Sequence, residues 1–478
     1  MIIKTRYILI LAILVILTAL ALSTCFTSYS DGTGTIVINI GGDNSRAAFE
    51  PAEIKAFTHT ITLTGPGETQ TETIIGEGSK EFELIPGTWN IEVRAVGKTP
   101  DEYTTEDNEG TDFPDSMLRA LSRETVEIKT GPNKPADIKM EAATEVRNSK
   151  QLTAAIDIAR DYSRKEVILI SENIIFDSYD SPPNINSASN ITILVDKPIN
   201  ISFPPSSTTF SIGVYDNSTL TLGRKGMTGH LTFDGNGSKD VIFDVSGAEL
   251  IMEEGVTIQN GSFRAVNVSG YDDGSTVTPS YFTMNGGEII RNKHPGSDGG
   301  AVYVSNFCSF TMNGGEISDN EASNGGGVLV DAGGKFTMEE GSIISGNKAS
   351  YSGGGVYVDN MSVGSKGKFY MKGGTISNNE AETSGGGVYV EYGDGYGVFE
   401  KTGGTIYGNE KGINENLMNK ATIGDDYVPG ANGHAVYIFG SYDNSSNIFT
   451  ANRKILDTTA GPDINLDSSN NIGWTSPD

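Results

Sequence analysis

The feature that most constrains this chain is a stretch from residue 282 to residue 409 in which one short pattern occurs five times. The clearest copy reads FTMNGGEISDN from Phe310 to Asn320, and GGGVLV follows from Gly325 to Val330. The leading phenylalanine recurs as Phe282, Phe310, Phe336, Phe369 and Phe399, at spacings of 28, 26, 33 and 30 residues. A constant pattern at unequal spacing indicates stacked repeats whose loops differ in length.

Each copy contains two short segments, FTM and VLV in the clearest copy, in which alternate residues would point to opposite faces of a strand. A period of two predicts strands, and both segments are too short for helices. The glycine pairs between them permit sharp turns at little steric cost. Stacking each strand on its equivalent, about 4.8 Å away, pairs every strand with a neighbour. The sequence therefore predicts a parallel β-helix with the Phe, Met and Val positions pointing inward.

Asparagine also recurs, and we expect a row of asparagine side chains at one turn of the helix. The members are Asn260, Asn292, Asn320, Asn347, Asn379 and Asn409. A metal site is one interpretation, but an amide oxygen alone is a poor metal ligand, whereas amides readily hydrogen-bond along a stack. We therefore predict amide stacking, with no metal and no cofactor.

The Phe-x-Met and Gly-Gly-x-Val motifs resemble the repeats of polymorphic outer-membrane proteins and other right-handed parallel β-helix proteins of the pectin-lyase-like class. The resemblance spans residues 146 to 478 and is strongest from 282 to 409. It implies an all-β fold built around a right-handed parallel β-helix. Similar proteins include adhesin passenger regions and, in other branches, polysaccharide lyases and hydrolases, so the resemblance specifies fold better than function.

Residues 1–24 have the composition of a secretory signal peptide, with an apolar run from Tyr7 to Leu22 after two basic residues. The run is shorter than the roughly 20 residues that span a bilayer. It ends just before Cys25, which resembles the lipoprotein box whose cysteine is acylated, although Thr24 stands where Gly, Ala or Ser is usual. We expect an exported protein anchored to the outer membrane or cell surface by a lipid on Cys25. The alternative is cleavage after Ala21 and a secreted soluble protein.

After the signal, the pattern predicts a tether over residues 25–33, a small β-sandwich over 34–145 and the β-helix with its capping ends over 146–478. The segment from Tyr103 to Pro114 is acidic and is predicted to be a surface loop. Ser149 is the expected N-cap of one amphipathic helix that covers the first coil of the β-helix.

The charge and the cysteine content exclude several classes of function. The chain has 61 acidic and 34 basic residues, a net charge of −27, which makes nucleic acid an improbable partner because phosphates would be repelled. There are only two cysteines. Acylation of Cys25 would leave Cys308 without a disulfide partner, and we expect Cys308 to share the inward face of Phe310 as a small apolar residue.

The sequence contains no convincing catalytic arrangement. The nearest acidic pair is Asp272 and Asp273, which lies in a loop rich in Ser, Thr and Gly and is interpreted as a solvated turn. The chain is therefore predicted not to be an enzyme. A polysaccharide lyase or glycoside hydrolase is the alternative that the resemblance leaves open.

The Gly-Gly-x-Val-x-Val motif also predicts a row of outward side chains, because the residue between two inward valines must face outward. The members of this row, called the Tyr ladder below, are Tyr303, Leu329, Tyr357, Tyr389 and Tyr437. An exposed aromatic stripe would suit a carbohydrate or a host-surface protein. The alternative is that the rings stack on one another and only stabilise the sheet. We predict a cell-surface adhesin, ligand-binding or structural rod.

Overall fold

A computed structural model describes residues 32–40, 55–104, 111–161, 165–177, 180–204, 210–272, 276–359, 366–391, 398–407 and 417–421, and the segments 436–438, 442–443 and 448–449. The chain divides into two compact units. The first comprises residues 1–98 and 118–142, and the second comprises residues 99–117 and 143–478.

The first unit consists of short strands. They are β1 (Gly34–Ile40), β2 (Thr58–Thr64), β3 (Gln70–Ile75), β4 (Gly78–Leu84), β5 (Gly87–Lys98), β6 (Ser116–Ile128) from residue 118 onward, β7 (Gly131–Pro132), β8 (Ala136–Asp137) and the first two residues of β9 (Glu141–Val146). The other residues of β6 and β9 belong to the second unit. One sheet has the order β4-β1-β7, with β8 also paired to β1, and another contains β3-β2-β5-β6-β9 in that order. Alternate residues such as Ile38, Ile61 and Trp89 are buried in one shared core. The period of two therefore places the apolar face of each sheet inward.

The second unit begins with residues 99–117, which include the segment predicted to be a surface loop. The predicted surface loop contains a 3-10 helix, Asp101–Tyr103, and residues 105–110 lie outside the described part. The Tyr103 ring is buried, and its hydroxyl is 2.9 Å from the Thr144 hydroxyl. Tyr103 is therefore not a surface residue, although the acidic composition predicts a surface loop here. Residues 99–117 belong to the second unit, whereas the sequence predicts a sandwich that includes them, over residues 34–145.

One α-helix, α1 (Ser149–Asp161), precedes the first coil. Its apolar side, which includes Leu152 and Ile156, is buried in the same core as the first strands of the solenoid. The N-cap is Asn148 and not Ser149, because the Asn148 side-chain oxygen accepts a hydrogen bond of 2.9 Å from the backbone N–H of Gln151. This is the contact that satisfies an otherwise unpaired N–H of the first turn.

The remainder of the second unit is a parallel β-solenoid whose coils contribute to three sheets. The Phe sheet contains Lys165–Ile170, Asn190–Val195, Thr219–Leu222, Glu249–Met252, Tyr281–Met284, Ser309–Met312, Lys335–Met338, Lys368–Met371 and Val398–Lys401. The Ile sheet contains Ile174–Ile175, Ile199–Ser202, Leu231–Asp234, Val256–Gln259, Glu288–Ile290, Gly315–Ser318, Ser342–Ser345, Thr375–Ser377 and Thr405–Ile406. The Val sheet contains Asn184–Ile185, Ile212–Tyr215, Phe243–Ser246, Val266–Ser269, Val302–Val304, Val328–Val330, Val356–Val358, Val388–Val390 and Val436–Ile438.

Smaller elements complete the described part of the solenoid. A fourth set of parallel strands, the short sheet, contains Lys293–His294, Glu321–Ala322, Lys348–Ala349, Glu380–Ala381 and Lys420–Ala421. Two antiparallel hairpins pair Tyr271–Asp272 with Val277–Thr278 and Tyr442–Asp443 with Ile448–Phe449.

The parallel β-helix prediction is confirmed by the pairing of equivalent residues in consecutive coils. Phe310 pairs with Phe282 on one side and with Phe336 on the other, and the rings stack with centroids 4.7 and 4.8 Å apart. The stack continues through Phe369 to Phe399 at 4.8 and 5.2 Å. We number the coils 1 to 9 by their Phe-sheet strands. The repeat length predicts about ten or eleven coils between residues 165 and 470, and the described residues contribute nine.

The asparagine row forms a continuous ladder of buried amides. The side-chain oxygen of Asn347 accepts hydrogen bonds from the backbone N–H and the side-chain amide of Asn320, at 3.1 and 2.9 Å. The Asn347 amide nitrogen donates in turn to the Ile317 carbonyl and to Asn379, both at 2.9 Å. Asn292, Asn320, Asn347 and Asn379 are fully buried. Amide stacking is therefore confirmed for Asn292, Asn320, Asn347 and Asn379.

Both ends of this row differ from the prediction. Gly261, and not Asn260, occupies the position before Asn292, since the Gly261 N–H donates to the Asn292 side chain at 3.0 Å. Asn260 lies one residue earlier, in a left-handed conformation with φ of 58°. At the other end, Asn419 accepts the hydrogen bonds of Asn379 at 2.9 Å, and Asn409 lies outside the described residues.

The glycine triplets allow consecutive coils to approach closely before the Val sheet. Gly353 has φ of +69°, a conformation that side chains rarely adopt. A Cβ atom on Gly354 would collide with the carbonyl oxygens of Glu380 and Gly386 in the next coil. The triplet is therefore required by backbone packing between coils.

The buried amides of the asparagine row are expected to stabilise the solenoid strongly. Replacing Asn347→Ala would remove partners from the Asn320 N–H, the Asn320 amide and the Ile317 carbonyl, each costing roughly 1–3 kcal/mol when buried without a partner. We expect the free energy of unfolding to fall by about 3 kcal/mol or more, measured by urea denaturation. The control is Asn313→Ala, an exposed asparagine of coil 6, for which a change within about 0.5 kcal/mol is expected. Equal effects of the two replacements would contradict the proposed role of the ladder.

Candidate functional site

The Tyr ladder forms with the predicted register on the outer side of the Val sheet. Tyr303 pairs with Leu329, Leu329 with Tyr357, and Tyr357 with Tyr389. Tyr389 pairs in turn with Tyr437, of which only the backbone is described. These residues therefore occupy equivalent places in consecutive coils.

The exposure of the ladder differs from the prediction. Leu329 is only 4% exposed and Tyr389 only 8%, while Tyr303 and Tyr357 are half-buried. The expected open aromatic stripe is thus wrong for two of the four side chains that the structure describes. The reason is that side chains one strand apart pack against each other along the solenoid axis and shield one another from water.

Stacking also determines which part of each ring is accessible. The Tyr357 and Tyr389 rings are stacked, with centroids 5.1 Å apart and planes 15° apart. At the other end, the Arg264 guanidinium lies 3.9 Å from the centroid of the Tyr303 ring, a cation–π contact. The ring faces are therefore directed along the solenoid axis, toward the neighbouring coils. An approaching ligand would meet ring edges and hydroxyl groups, so sugar stacking on the faces of this ladder is disfavoured.

The hydroxyl groups of the ladder are held by carboxylates from the next coil. Tyr303 donates to Asp331 at 2.6 Å, and Tyr357 donates to Glu391 at 2.7 Å. Burial, followed by these hydrogen bonds, raises the pKa of both phenols above the ordinary value. Both hydroxyls therefore remain protonated hydrogen-bond donors at neutral pH. The acidic partners follow the Val strands at equivalent positions, and they form a second outward row beside the tyrosines.

A polar network extends the same face toward coil 2. Tyr215 donates to Asp244 at 3.1 Å, and Asn267 donates to the other oxygen of Asp244 at 2.8 Å. Arg264 reaches Asn267 at 3.4 Å and donates to the Asp298 backbone carbonyl at 3.0 Å. Sequence reasoning missed this network because coils 2 to 4 do not repeat the motif. The only signal was that Asp244 and Asn267 each precede a valine in register.

One aromatic ring besides Tyr303 lies near the Arg264 guanidinium, and this ring packs against His294. The Phe263 ring lies 5.6 Å from the Arg264 guanidinium, and the Phe263 and His294 rings have centroids 3.9 Å apart. Burial, with a smaller contribution from the Arg264 charge, lowers the pKa of His294, so this ring is neutral at neutral pH. In later coils the place of His294 is taken by Ala322 and Ala349. The His294 ring packs against Phe263 of coil 4, which contributes no strand to the short sheet.

The remaining candidate residues from the sequence are the two cysteines and the acidic pair Asp272 and Asp273. Cys308 is buried in the solenoid core as predicted, and burial raises the pKa of its thiol. Cys25 and Asp273 lie outside the described residues, and only the backbone of Asp272 is described, in the hairpin strand Tyr271–Asp272. Across the described ranges, no group of three or more His, Cys, Asp or Glu side chains is placed to hold a metal ion.

In the part of the chain that the structure describes, no helix is both long enough and apolar enough to cross a bilayer.

Comparisons with protein-family models, with curated proteins and with solved structures found no match to this chain. Inferences about its function therefore rest on its own residues and their geometry.

The stacked geometry predicts that the Tyr ladder stabilises the solenoid mainly through its rings. We expect Tyr357→Phe, which keeps the ring and loses the bond to Glu391, to cost about 1 kcal/mol. Tyr357→Ser also removes the ring from the stack and should cost about 3 kcal/mol. Urea denaturation measures both, with Tyr351→Ser as the control at a tyrosine that is exposed. If the Phe and Ser variants of Tyr357 were equally stable, the ring stack would have no stabilising role.

Proposed function

We propose that this chain is an exported cell-surface rod that acts as an adhesin or ligand-binding protein and does not transform its ligand. The observation that supports the proposal is the register of the coils, in which equivalent residues pair over consecutive turns. Outward side chains consequently form straight rows. An extended ligand lying along a row would contact several coils at once, and the weak contacts would add to a useful affinity.

The chemistry of the outward rows supports a carbohydrate or a host-surface protein as the partner. The Val sheet presents tyrosine hydroxyls beside carboxylates, namely Tyr303 with Asp331 and Tyr357 with Glu391. These groups are partly exposed and have unused acceptor capacity for hydroxyl or amide donors of a ligand. A net charge of −27 makes nucleic acid an unfavourable partner.

The proposal includes a lipid anchor at Cys25, supported by the sequence that precedes it. The apolar run ends at Leu22, three residues before the cysteine. A short polar segment separates Cys25 from the first described strand, Gly34–Ile40. An acylated cysteine in this place would tether the rod at its N-terminal end to a membrane surface.

Binding without turnover is tested by passing the purified protein over a panel of immobilised polysaccharides and host-cell surface extracts. We expect retention on at least one member of the panel and no release of shortened products, because binding requires only an outward row whereas cleavage requires converging ionisable groups. Product release would favour the lyase or hydrolase alternative. If that release disappeared in the double variant Asp272→Asn with Asp273→Asn, the solvated-turn interpretation of this pair would also be wrong.

The anchor is tested by cell fractionation of the wild type and of Cys25→Ser. We expect the wild type in the membrane fraction and the variant in the soluble exported fraction, because a serine hydroxyl at this position would not be acylated. Cys308→Ser serves as the matched control, since Cys308 is buried in the solenoid core. A soluble wild type whose mature chain begins at Leu22 would show that ordinary cleavage after Ala21 occurs and that no anchor exists.

A further inference from the structure

The Phe sheet carries an outward row that differs from the Tyr ladder in being open to solvent. Its members in coils 5 to 8 are Tyr281, Ser309, Lys335 and Lys368, which pair directly from strand to strand. Tyr281 is 48% exposed, and both lysines are exposed. We call this set the Tyr–Lys row. With neighbouring strands about 4.8 Å apart, it spans roughly 14 Å along the solenoid.

The two lysines of the row are neighbours with like charge. Lys335 pairs directly with Lys368, and like charges on adjacent strands destabilise a sheet. The same chain avoids this arrangement on the short sheet, where the residues in register alternate in sign. They are Lys293, Glu321, Lys348, Glu380 and Lys420.

The alternating charges of the short sheet form ion pairs, whereas those of the Tyr–Lys row do not. Lys293 lies 3.4 Å from Glu321, and Lys348 lies 3.4 Å from Glu380. Within the described part of the chain, neither Lys335 nor Lys368 has an acidic partner in ion-pair contact. The Lys335 ammonium nitrogen lies 5.8 Å from the centroid of the Tyr370 ring. Two adjacent positive charges are thus available to an external anion.

The aromatic end of the row also differs from the Tyr ladder. Tyr281 lies between Glu249 and Ser309 in the register, so neither equivalent position in the adjacent coils carries a ring. Its faces are therefore not used by the ladder packing that covers Tyr357 and Tyr389. An accessible ring face is the surface on which the apolar side of a sugar packs.

We propose that the Tyr–Lys row binds an oligosaccharide that carries one acidic sugar, with a sugar ring on Tyr281 and the carboxylate between Lys335 and Lys368. This inference rests on the binding function proposed above and names the ligand and the place. Ser309, between the ring and the cations, provides a hydroxyl for the intervening sugar.

A single acidic group fits this chain better than a uniformly charged polymer. The net charge of −27 opposes the approach of a polyanion, and this repulsion grows with each added charge of the ligand. Two lysines in register attract one carboxylate placed between them. Charges farther away than the Debye length, about 8 Å at physiological salt, are largely screened from these two ammonium groups. The row therefore selects for an acidic group and against a high density of such groups.

The experiment measures binding of the full-length protein to three ligands with the same sugar backbone. One is neutral, one carries a single carboxylated sugar at its end, and one is carboxylated on every sugar. We expect the singly charged ligand to bind about tenfold more tightly than the neutral one, as expected for one charge-assisted contact. It should also bind more tightly than the fully charged polymer.

Three variants separate the contributions. The double variant Lys335→Gln with Lys368→Gln should lose the tenfold preference, whereas Lys348→Gln, which removes a paired lysine on the short sheet, should keep it. Tyr281→Ala should weaken the neutral and the singly charged ligands by the same factor. Because the double variant removes a repulsion, its thermal midpoint should be equal to or above that of the wild type, which also shows that it is folded.

Two outcomes would overturn the inference in distinguishable ways. If the wild type binds the neutral ligand or a host surface and the double variant binds the singly charged ligand as tightly as the wild type does, the rod remains a binding protein and the assignment of this row is wrong. If the wild type is retained by no member of the panel, the proposed binding function fails together with the site.

Discussion

The interaction on which the solenoid most depends is the ladder of buried amides that begins at Asn292. Each amide satisfies donors and acceptors of two adjacent coils, as the bonds of Asn347 to Asn320 and Asn379 illustrate. A coil displaced along the stack would leave these fully buried groups without partners, at a cost of several kcal/mol. The ladder therefore fixes the register of each coil on the next. Every row of side chains on the surface inherits that register.

Fixed register has opposite consequences for repeated and for single aromatic residues. Where a ring recurs in consecutive coils, as Tyr357 and Tyr389 do, the rings stack and their faces become part of the structure. Where a ring stands among residues of other types, as Tyr281 does between Glu249 and Ser309, its faces remain open. Repetition of an aromatic residue in a solenoid is thus better evidence for stabilisation than for binding. Departures from the repeat are the more informative positions for function.

The fixed register also decides which charged side chains are neighbours along each row. Residues at equivalent positions stand one strand spacing apart, so the sign of each charge determines whether the stack is favoured or opposed. Alternation on the short sheet gives pairs such as Lys348 with Glu380, although exposed pairs of this kind contribute only about 0–1 kcal/mol. The adjacent Lys335 and Lys368 have no such compensation within the described residues. A bound anion between the two ammonium groups would offset their mutual repulsion.

The sequence by itself determined the fold class and the inward positions of coils 5 to 9. The period of two in FTM and VLV, with glycines between, is a local property of the chain, and it correctly placed Phe310 and Val328 in the core. The tertiary structure decided which residues meet across coils, because loops of unequal length hide that register. It paired the Gly261 N–H with the first amide of the ladder and placed Asn419 at the other end. It also buried Leu329 and Tyr389 and set Lys335 beside Lys368, 33 residues away. Burial of an outward side chain depends on its neighbours one strand spacing above and below, and these neighbours are adjacent only in the folded stack.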